Sequence, residues 1–382
     1  MKRHFTLALV ATMLAAAPVL TACGDEDKTF DPAEADAKER ALAAANAQFV
    51  AETVLPTYAG LADATEEMIG ALERFAARRT QADLDEAAAL WRESRQYWEW
   101  SEAFLFGAAS GYGIDPHIDT WPFDVAQFDN FLGKYHPATS EADAAAIDEI
   151  VATGQNLTGF HAVEYLLFRQ GAVRTAADLS ADEAYFCRSA ARDLYRSACR
   201  LLVAWGGEAS AERMALLEDA EMVPEDDFGA EFRNAGRAGS RWATVTLATI
   251  QMVEGCRSIV DEVAHAKIGA PTTGEDVHYI ESPHAYNSIQ DFYDNLLSCR
   301  HVLCGGLGRT EPAAGSLMAY ALTAHPAEAA ATEAALAEAL AAVRAMKAPF
   351  VLHYGDTSAR TAIAKIEALD DALAALQKAL ED

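Results

Sequence analysis

The stretch GFHAVEYLLF, residues 159–168, places a histidine and a glutamate in a segment whose other side chains are almost all apolar. In a helix that begins at Gly159, these apolar side chains cover nearly the whole circumference, and such a helix is buried among other helices. A buried carboxylate without a partner is very costly. We therefore expect Glu164 to meet a cation, which can be a metal ion, an arginine or a protonated histidine.

The spacing of His161 and Glu164 suits two interpretations. Positions i and i+3 of a helix are neighbours with Cβ atoms about 5–6 Å apart, and a metal ion bridges such a pair through bonds of about 2.0–2.2 Å. In the first helical turn the helix dipole favours neutral imidazole, the form that binds metals. The same spacing also suits a buried His–Glu pair that holds helices in register, and the residues alone leave both interpretations open.

The rest of the chain predicts an all-α protein with two packed four-helix-bundle-like halves. Long runs rich in Ala, Leu and Glu carry apolar residues at three- and four-residue spacing, which is typical of helices. Besides the helix at Gly159, we expect principal helices at residues 32–79 with a bend near Pro56, 82–106, 180–205, 230–267, 286–305, 314–353 with a fresh start at Pro326, and 357–381. Ser180 and Glu183 form a capping box.

Glycine, proline and acidic residues between 206 and 229 indicate the boundary between the halves. We therefore expect an N-terminal bundle at 32–208, a connecting segment at 209–229 and a C-terminal bundle at 230–382.

The N-terminus has the pattern of a bacterial lipoprotein signal. Residues 1–22 combine two basic residues with an apolar segment that is too short to be a comfortable membrane span. The segment ends in Leu-Thr-Ala-Cys, which resembles a lipobox, so we expect cleavage before Cys23, acylation of Cys23 and a polar tether over 23–31. The expected location is the bacterial cell envelope, lipid-anchored on the periplasmic face or the cell surface, with the outer membrane favoured. An ordinary secretory signal is the alternative.

Charge and cysteine content limit the partners. The chain has 58 acidic and 30 basic residues and a formal net charge of −28, and such a surface repels nucleic acid. Charge alone does not identify a metal binder, because solubility also explains it. With Cys23 acylated, the other five cysteines leave at least one unpaired. Cys187 and Cys199, expected about 18 Å apart along one helix, cannot form a disulfide.

A second candidate cluster lies in WRESRQYWEWSEAFLFG, residues 91–107. Arg95, Glu99 and Glu102 fall near one helix face by their i, i+4, i+7 spacing. Glu102 is a candidate metal ligand, and Arg95 either orients a carboxylate or is the partner of Glu164. A surface ladder of ion pairs explains the same pattern.

Two loop segments offer further donors. In GIDPHIDTWPFD, residues 113–124, Asp119 is the chosen candidate, with Asp115, His117 and Asp124 nearby, although aspartates in such loops often cap turns. In ESPHAYNSIQDFYDNL, residues 281–296, Glu281 precedes a predicted helix and would face a cleft between the halves.

Taken in order, these segments resemble the imelysin family of bacterial envelope proteins. This family is also called insulin-cleaving membrane protease-like and includes the imelysin-type domain of EfeO-like iron-uptake proteins. Gly159, His161 and Glu164 match its GxHxxE signature. Residues 91–107 with IDTWPFD, and the stretch from Glu281, resemble its aromatic helix, its Ile-Asp-x-Trp-Pro loop and its later Glu-Ser segment. One departure is Ala108-Ala109 after Gly107, where the family often has proline.

The resemblance implies two helical bundles with the GxHxxE site near their junction, an iron-linked envelope role, and His161 and Glu164 as metal ligands. We expect a lipid-anchored protein that binds a divalent or ferric cation in connection with iron uptake, with iron favoured and zinc as an alternative. An imidazole with several carboxylates suits such cations. Glu102, Asp119 and Glu281 are the candidates that complete the ligand shell. The expected partners are the metal ion, the membrane through the lipid anchor, and envelope iron-uptake proteins.

Two other functions stay open. A zinc metallopeptidase is one, but the chain has no H-E-x-x-H, and Tyr165 stands where H-x-x-E-H needs its second histidine. We therefore favour a non-enzymatic protein, although distant residues could supply the missing ligand and general base. The other is a non-enzymatic scaffold that docks another envelope protein or a glycan, with His161 and Glu164 as a structural pair.

Overall fold

A computed structural model describes residues 32–134 and 157–382, with side chains from residue 36 onward. The expected signal peptide (1–22), the acylated Cys23 and the tether (23–31) lie outside these residues. Within the described part, no helix is both long enough and apolar enough to cross a membrane.

Helices dominate the first half of the chain. In order they are α1 (Pro32–Gln48), α2 (Leu55–Arg78), α3 (Gln81–Glu99), α4 (Ala108–Gly111), α5 (Asp115–Ile118), α6 (Val125–Leu132), α7 (Gly159–Leu167) and α8 (Ala181–Ala204). The sheet that the described residues contain is a two-stranded antiparallel hairpin of β1 (Phe168–Arg169) and β2 (Ala172–Val173). Helix α2 packs against α3 and α8, and α7 packs against the same two helices.

The second half repeats the arrangement with different helices. In order they are α9 (Ala211–Asp219), α10 (Phe228–Arg233), α11 (Val245–Glu262), α12 (Gly269–Thr273), α13 (Ser288–Cys304), α14 (Leu317–Ala324), α15 (Pro326–Arg344), α16 (Phe350–His353) and α17 (Thr357–Glu381). Helix α11 packs against α13 and α17, and α15 packs against the same pair. The predicted all-α fold of two bundle-like halves is confirmed.

The halves meet along an extensive contact. Helix α3 packs on α13, and α1 packs on α11 and α14. One hydrophobic cluster runs through both halves, from Trp91 and Phe104 to Phe292 and Leu373. The residue boundaries predicted for the two domains stay a prediction.

Several predicted helix ends are confirmed by local chemistry. Helix α7 begins at Gly159 and α15 begins with Pro326, as expected. Ser180 and Glu183 form the predicted capping box at the start of α8. Before Pro56 the chain makes wider π-type turns over Phe49–Val54, because proline lacks an N–H and its ring crowds the carbonyl four residues earlier.

Three predicted helices are shorter than expected, and one of them, 314–353, ends at Arg344 before the separate short helix α16. Helix α3 ends at Glu99 instead of 106, where the Ser101 hydroxyl donates to the Trp98 carbonyl, and a 3₁₀ turn over Glu102–Phe104 follows. The predicted helix 230–267 is interrupted between α10 and α11. There Gly236 and Gly239 adopt left-handed backbone, with φ of +83° and +94°, which ends a right-handed helix.

The five cysteines of the described chain are all free and buried. Cys187 and Cys199 both lie on α8 and do not form a disulfide, as predicted.

Candidate metal centre

A close backbone contact brings the loop 113–124 against the start of α7. Gly159 has φ of +72°, and a Cβ atom built there would lie 2.2 Å from the Ile118 carbonyl oxygen. Only glycine fits so close an approach in a left-handed conformation. The first letter of the GxHxxE pattern therefore has a structural cause, because this contact seats Asp119 beside the helix that carries His161.

His161 is held between two carboxylates. Its Nδ1 lies 3.1 Å from Glu164 Oε2, and its Nε2 lies 3.1 Å from Asp119 Oδ1. The ring is buried, and Nε2 makes no hydrogen bond of good geometry within the described residues. When the ring is neutral, the contact to Glu164 favours the tautomer with the proton on Nδ1, which leaves the Nε2 lone pair free to bind a metal ion.

Glu164 has its partners in the backbone of the other half. Its Oε1 accepts hydrogen bonds from the N–H groups of His284, at 2.7 Å, and Ala285, at 2.8 Å. These bonds and the contact with His161 hold the pKa of the Glu164 carboxyl below its usual value, although burial opposes this. Glu164 thus links α7 to the segment before α13. The suggestion that Arg95 is the partner of Glu164 is wrong, since the ion pairs of Arg95 go to other carboxylates.

Arg95 and Lys267 are the buried permanent cations of this centre. Arg95 forms ion pairs with Glu99 and Asp119, and its Nη2 lies 2.6 Å from Glu281 Oε1. Lys267 Nζ lies 3.0 Å from the same Glu281 oxygen and 3.7 Å from Glu99 Oε2. Burial opposes both charges, but the surrounding carboxylates hold the pKa values of Arg95 and Lys267 well above their ordinary values.

Buried carboxylates outnumber these cations. Five of them surround the two cations: Glu99, Glu102, Asp119, Glu281 and Asp291. Burial raises the pKa of Glu99 and of Glu102 well above the ordinary value, and it raises the pKa of Asp291 to about 7. Repulsion between neighbouring carboxylates adds to the effect of burial, because each ionised carboxylate has other negative groups nearby.

The metal-free chain holds His161 protonated. Burial opposes the charge, but the contacts with Asp119 and Glu164 prevail and raise the pKa of His161 to about 9. This shift runs against the neutral imidazole expected in the first helical turn, because two full charges outweigh the partial charge of a helix end. A metal ion at Nε2 has to displace this proton.

Two groups of side chains have ligand atoms close enough to share a cation. The inner group consists of Asp119, His161 and Glu281, and the outer group consists of Glu99, Glu102 and Asp119; within each group the ligand atoms lie within 4.8 Å of one another. Glu281 Oε2, like His161 Nε2, is buried without a hydrogen-bond partner in the described part of the chain. One nitrogen with carboxylate oxygens suits iron, manganese or zinc, so the inner group fits a metal ion.

The structure thus brings together most of the residues chosen from the sequence. His161, Asp119 and Glu281 share the inner group, and Glu102 belongs to the outer group, whereas Glu164 is in neither. A direct ligand role of Glu164 stays a prediction.

The other donors of the loop 113–124 serve different partners. Asp124 caps α6 by accepting from the N–H of Gln127, and His117 pairs with Asp193 at 2.6 Å. Asp115 is half-buried, and burial raises its pKa to about 6.

Lys267 is the member of this centre that the sequence reasoning missed. It occurs in VAHAKIGA, residues 263–270, at the end of a helical stretch of apolar residues. His161 was chosen because it is a polar residue in an apolar stretch, and the same criterion applied to this stretch identifies Lys267.

Comparisons with known proteins agree with this architecture. Residues 54–376 match the model of one protein family, described as imelysin. The chain is 28% identical over 332 residues to "Iron-regulated protein A" of Synechococcus elongatus, covering 85% of this chain and 83% of that protein.

Two solved structures share the fold. An iron-regulated protein A precursor from Parabacteroides distasonis ATCC 8503 superposes with a TM-score of 0.76 at 25% identity, over 90% of this chain and 95% of that one. An imelysin-like protein from Psychrobacter arcticum 273-4 superposes with a TM-score of 0.60 at 14% identity, over 90% and 94% of the two chains.

Proposed function

The chain belongs to the imelysin family, and we propose that it is an envelope lipoprotein that binds an iron cation at the inner group in connection with iron uptake. The observation that carries the proposal is the convergence of buried ligand atoms at one point: Glu281 Oε2 has no hydrogen-bond partner in the described chain, and His161 Nε2 faces Asp119 Oδ1 at 3.1 Å without a hydrogen bond of good geometry. Both belong to a group whose ligand atoms lie within 4.8 Å of one another. A cation there satisfies atoms that burial otherwise leaves at a high free-energy cost.

Glu164 acts on this cation through His161. Histidines that ligate metals usually donate their second ring N–H to a carboxylate, which fixes the tautomer and the ring orientation. Glu164 Oε2 lies at the distance for this role from Nδ1, and its other oxygen is anchored by two backbone N–H groups. We propose that Glu164 positions His161 and that Asp119 and Glu281 are the carboxylate ligands.

The charge of the centre favours a cation of two or three positive charges. Among the described residues, these five buried carboxylates surround two buried permanent cations, Arg95 and Lys267, and the half-buried Arg92 lies near Asp291. A bound metal ion lowers the free energy of these carboxylates, so binding also stabilises the folded chain.

Iron is the proposed cation because of the names of relatives. The two relatives with the higher identities are named iron-regulated protein A and its precursor. The donor set itself also suits manganese and zinc, so the metal needs a direct measurement.

Anchoring through acylated Cys23 and contact with envelope iron-uptake proteins complete the proposal. The anchor is tested by a Cys23→Ser variant, which should move from the membrane fraction to the soluble fraction. Recovery of the variant with membranes at the level of the parent chain would contradict the anchor.

Binding fits the geometry better than peptide hydrolysis. The His161 side chain is 2% exposed, so an extended polypeptide does not reach its ring. The metal would also lack a second histidine on α7, where Tyr165 follows Glu164.

The decisive experiment measures iron bound to the full chain and to a His161→Ala variant, by anaerobic titration and elemental analysis. The matched control is His278→Ala, because His278 also precedes a glutamate by three residues but is exposed. We expect His161→Ala to lose one equivalent of iron that His278→Ala keeps. The proposal fails if His161→Ala binds as much iron, with the same affinity, as the parent chain.

A further inference from the structure

We propose that the outer group, Glu99, Glu102 and Asp119, is a second cation site, which opens to solvent and takes hard, oxygen-preferring cations. It shares Asp119 with the inner group but uses no nitrogen ligand. The inference concerns a site beyond the proposed iron site, and it stands even if His161 binds no metal.

Glu102 is the residue that points to a ligand. Its side chain is buried, with 6% of the residue exposed. No hydrogen bond or ion pair of its carboxylate occurs within the described residues, although Tyr58, Lys267 and several carboxylates lie near enough to interact electrostatically. Every other carboxylate of the two groups contacts a cationic side chain. A buried carboxylate without such a partner is costly unless a cation, a proton or water in the adjoining cavities joins it.

The Glu102 carboxylate borders two cavities that share a wall. One, of about 220 Å³, is lined by Asp115, Asp119 and Lys267 among others. The other, of about 260 Å³, lies between the 3₁₀ turn of Glu102 and helix α11. Glu102 and Glu262 line both cavities, so a cation that enters either space meets the same two carboxylates.

The backbone around Glu102 places its side chain against helix α11. Helix α3 ends at Glu99, and the 3₁₀ turn that follows turns Glu102 inward. Helix α11 lies so close to this turn that a Cβ atom on Gly255 would be 2.0 Å from the Ala103 carbonyl oxygen. Glu262 follows Gly255 by seven residues, about two helical turns, and so returns to the same helix face.

Carboxylates lead from solvent to the centre in order of increasing burial. Glu262 is exposed, Asp115 is half-buried, and Glu102 and Asp119 are buried. All four line the cavity of about 220 Å³. A row of negative charges in a narrow opening concentrates cations. A cation that enters from solvent therefore meets the outer group before it reaches His161.

Ligand chemistry separates the two groups. Three carboxylates offer only oxygen, which suits hard cations such as Mn²⁺, Mg²⁺ and Ca²⁺, whereas the imidazole of the inner group also suits zinc. Lys267 Nζ lies 3.7 Å from Glu99 and neutralises part of the charge, but it forms no ion pair with Glu102 in the described chain.

A proton is the competing partner of Glu102, because burial raises the pKa of its carboxyl well above the ordinary value. Glu102→Gln distinguishes the two cases. The amide keeps the size of the side chain and of a protonated carboxyl but removes the anionic ligand. Because Glu102 has no hydrogen bond to lose, the metal-free variant should melt at a temperature no lower than the parent chain.

The experiment titrates the metal-stripped full chain with Mn²⁺ and follows free Mn²⁺ by electron paramagnetic resonance. The variants are Glu102→Gln, His161→Gln and, as a control, Glu93→Gln, an exposed glutamate on α3. We expect two equivalents in the parent chain and in the control. Glu102→Gln should lose one equivalent, or bind it at least about tenfold more weakly, since even residues that only orient ligands contribute that much. His161→Gln should lose the other.

Four titration results would contradict the outer site. They are a titration of Glu102→Gln that equals that of the parent chain, a parent chain that binds one Mn²⁺ which both variants lose, a parent chain that binds one Mn²⁺ which only His161→Gln loses, and a parent chain that binds no Mn²⁺. A lower melting temperature of metal-free Glu102→Gln would contradict it as well. A single equivalent that disappears only in Glu102→Gln supports the outer site and contradicts the inner one. The two proposals can therefore fail separately.

Discussion

His161 Nε2 lies 3.1 Å from Asp119 Oδ1, across the contact between α7 and the end of α5. The two residues are 42 positions apart in the chain. Their approach depends on Gly159, on the hydrogen bonds of Glu164 and on the charge of Arg95. Each of these supports can be tested by substitution.

Glu164→Gln should weaken the inner site without abolishing it. One amide oxygen can replace Oε1 as acceptor for the N–H groups of His284 and Ala285. The amide NH2 group then faces His161 Nδ1. Because this group cannot accept a hydrogen bond, the tautomer with the proton on Nδ1 is no longer favoured. We expect an affinity about 10–100-fold lower at unchanged stoichiometry, measured by iron titration. Complete loss of the equivalent, as in His161→Ala, would identify Glu164 as a direct ligand.

Gly159→Ala should disrupt both the fold and the site. The left-handed φ alone costs about 1–2 kcal/mol, and the clash with the Ile118 carbonyl adds to it, so we expect a loss of about 3 kcal/mol or more in the free energy of unfolding. Urea unfolding measures the change.

The control for this variant is Gly274→Ala. Gly274 has φ of +82°, but no atom lies within 4 Å of an added Cβ. It should show only the smaller, conformational part of the cost. Equal losses in the two variants would mean that the contact between Gly159 and Ile118 does not matter.

Arg95→Met should strongly destabilise the metal-free chain. The change leaves Glu99, Asp119 and Glu281 without their common cation in a buried site. Removal of one partner of a buried ion pair costs about 3–5 kcal/mol. Urea unfolding provides the measurement, and Arg360→Met is the control, because Arg360 is exposed and its hydrogen bond goes to the backbone carbonyl of Gly355 and not to a buried carboxylate. A stability like that of the control would show that the carboxylates are already neutral.

His301 should make the protein less stable in acid. Burial lowers the pKa of His301 to about 4, whereas an unfolded histidine titrates near 6.5. Between these values the unfolded chain binds a proton that the folded chain does not, so stability falls as the pH drops from about 6.5 to about 4. The full effect is about 3 kcal/mol.

A His301→Gln variant tests this pH dependence. Its free energy of unfolding should fall less than that of the parent between pH 7.5 and pH 4.5, when both are measured by urea unfolding. The metal centre does not complicate the comparison if both proteins are stripped of metal. Parallel pH curves would contradict a role of His301.

The sequence by itself determined the helices and the residues that had to be buried. Local signals were sufficient for the start of α7 at Gly159, the capping box at Ser180 and the start of α15 at Pro326, because capping and backbone conformation depend on neighbours a few residues away. The apolar surroundings of His161 and Glu164 were enough to predict that these polar groups lie in the interior.

Only the tertiary structure decided which groups meet there. The backbone partners of Glu164 are about 120 residues away in the chain. Glu281 reaches Arg95, and Lys267 reaches Glu99, only because the two halves pack together. Hydrophobic periodicity fixes which face of a helix is buried, but it carries no information on which distant face it meets. The pKa of His161 also depends on tertiary packing, because the carboxylates of Asp119 and Glu164 outweigh the local effect of the helix end.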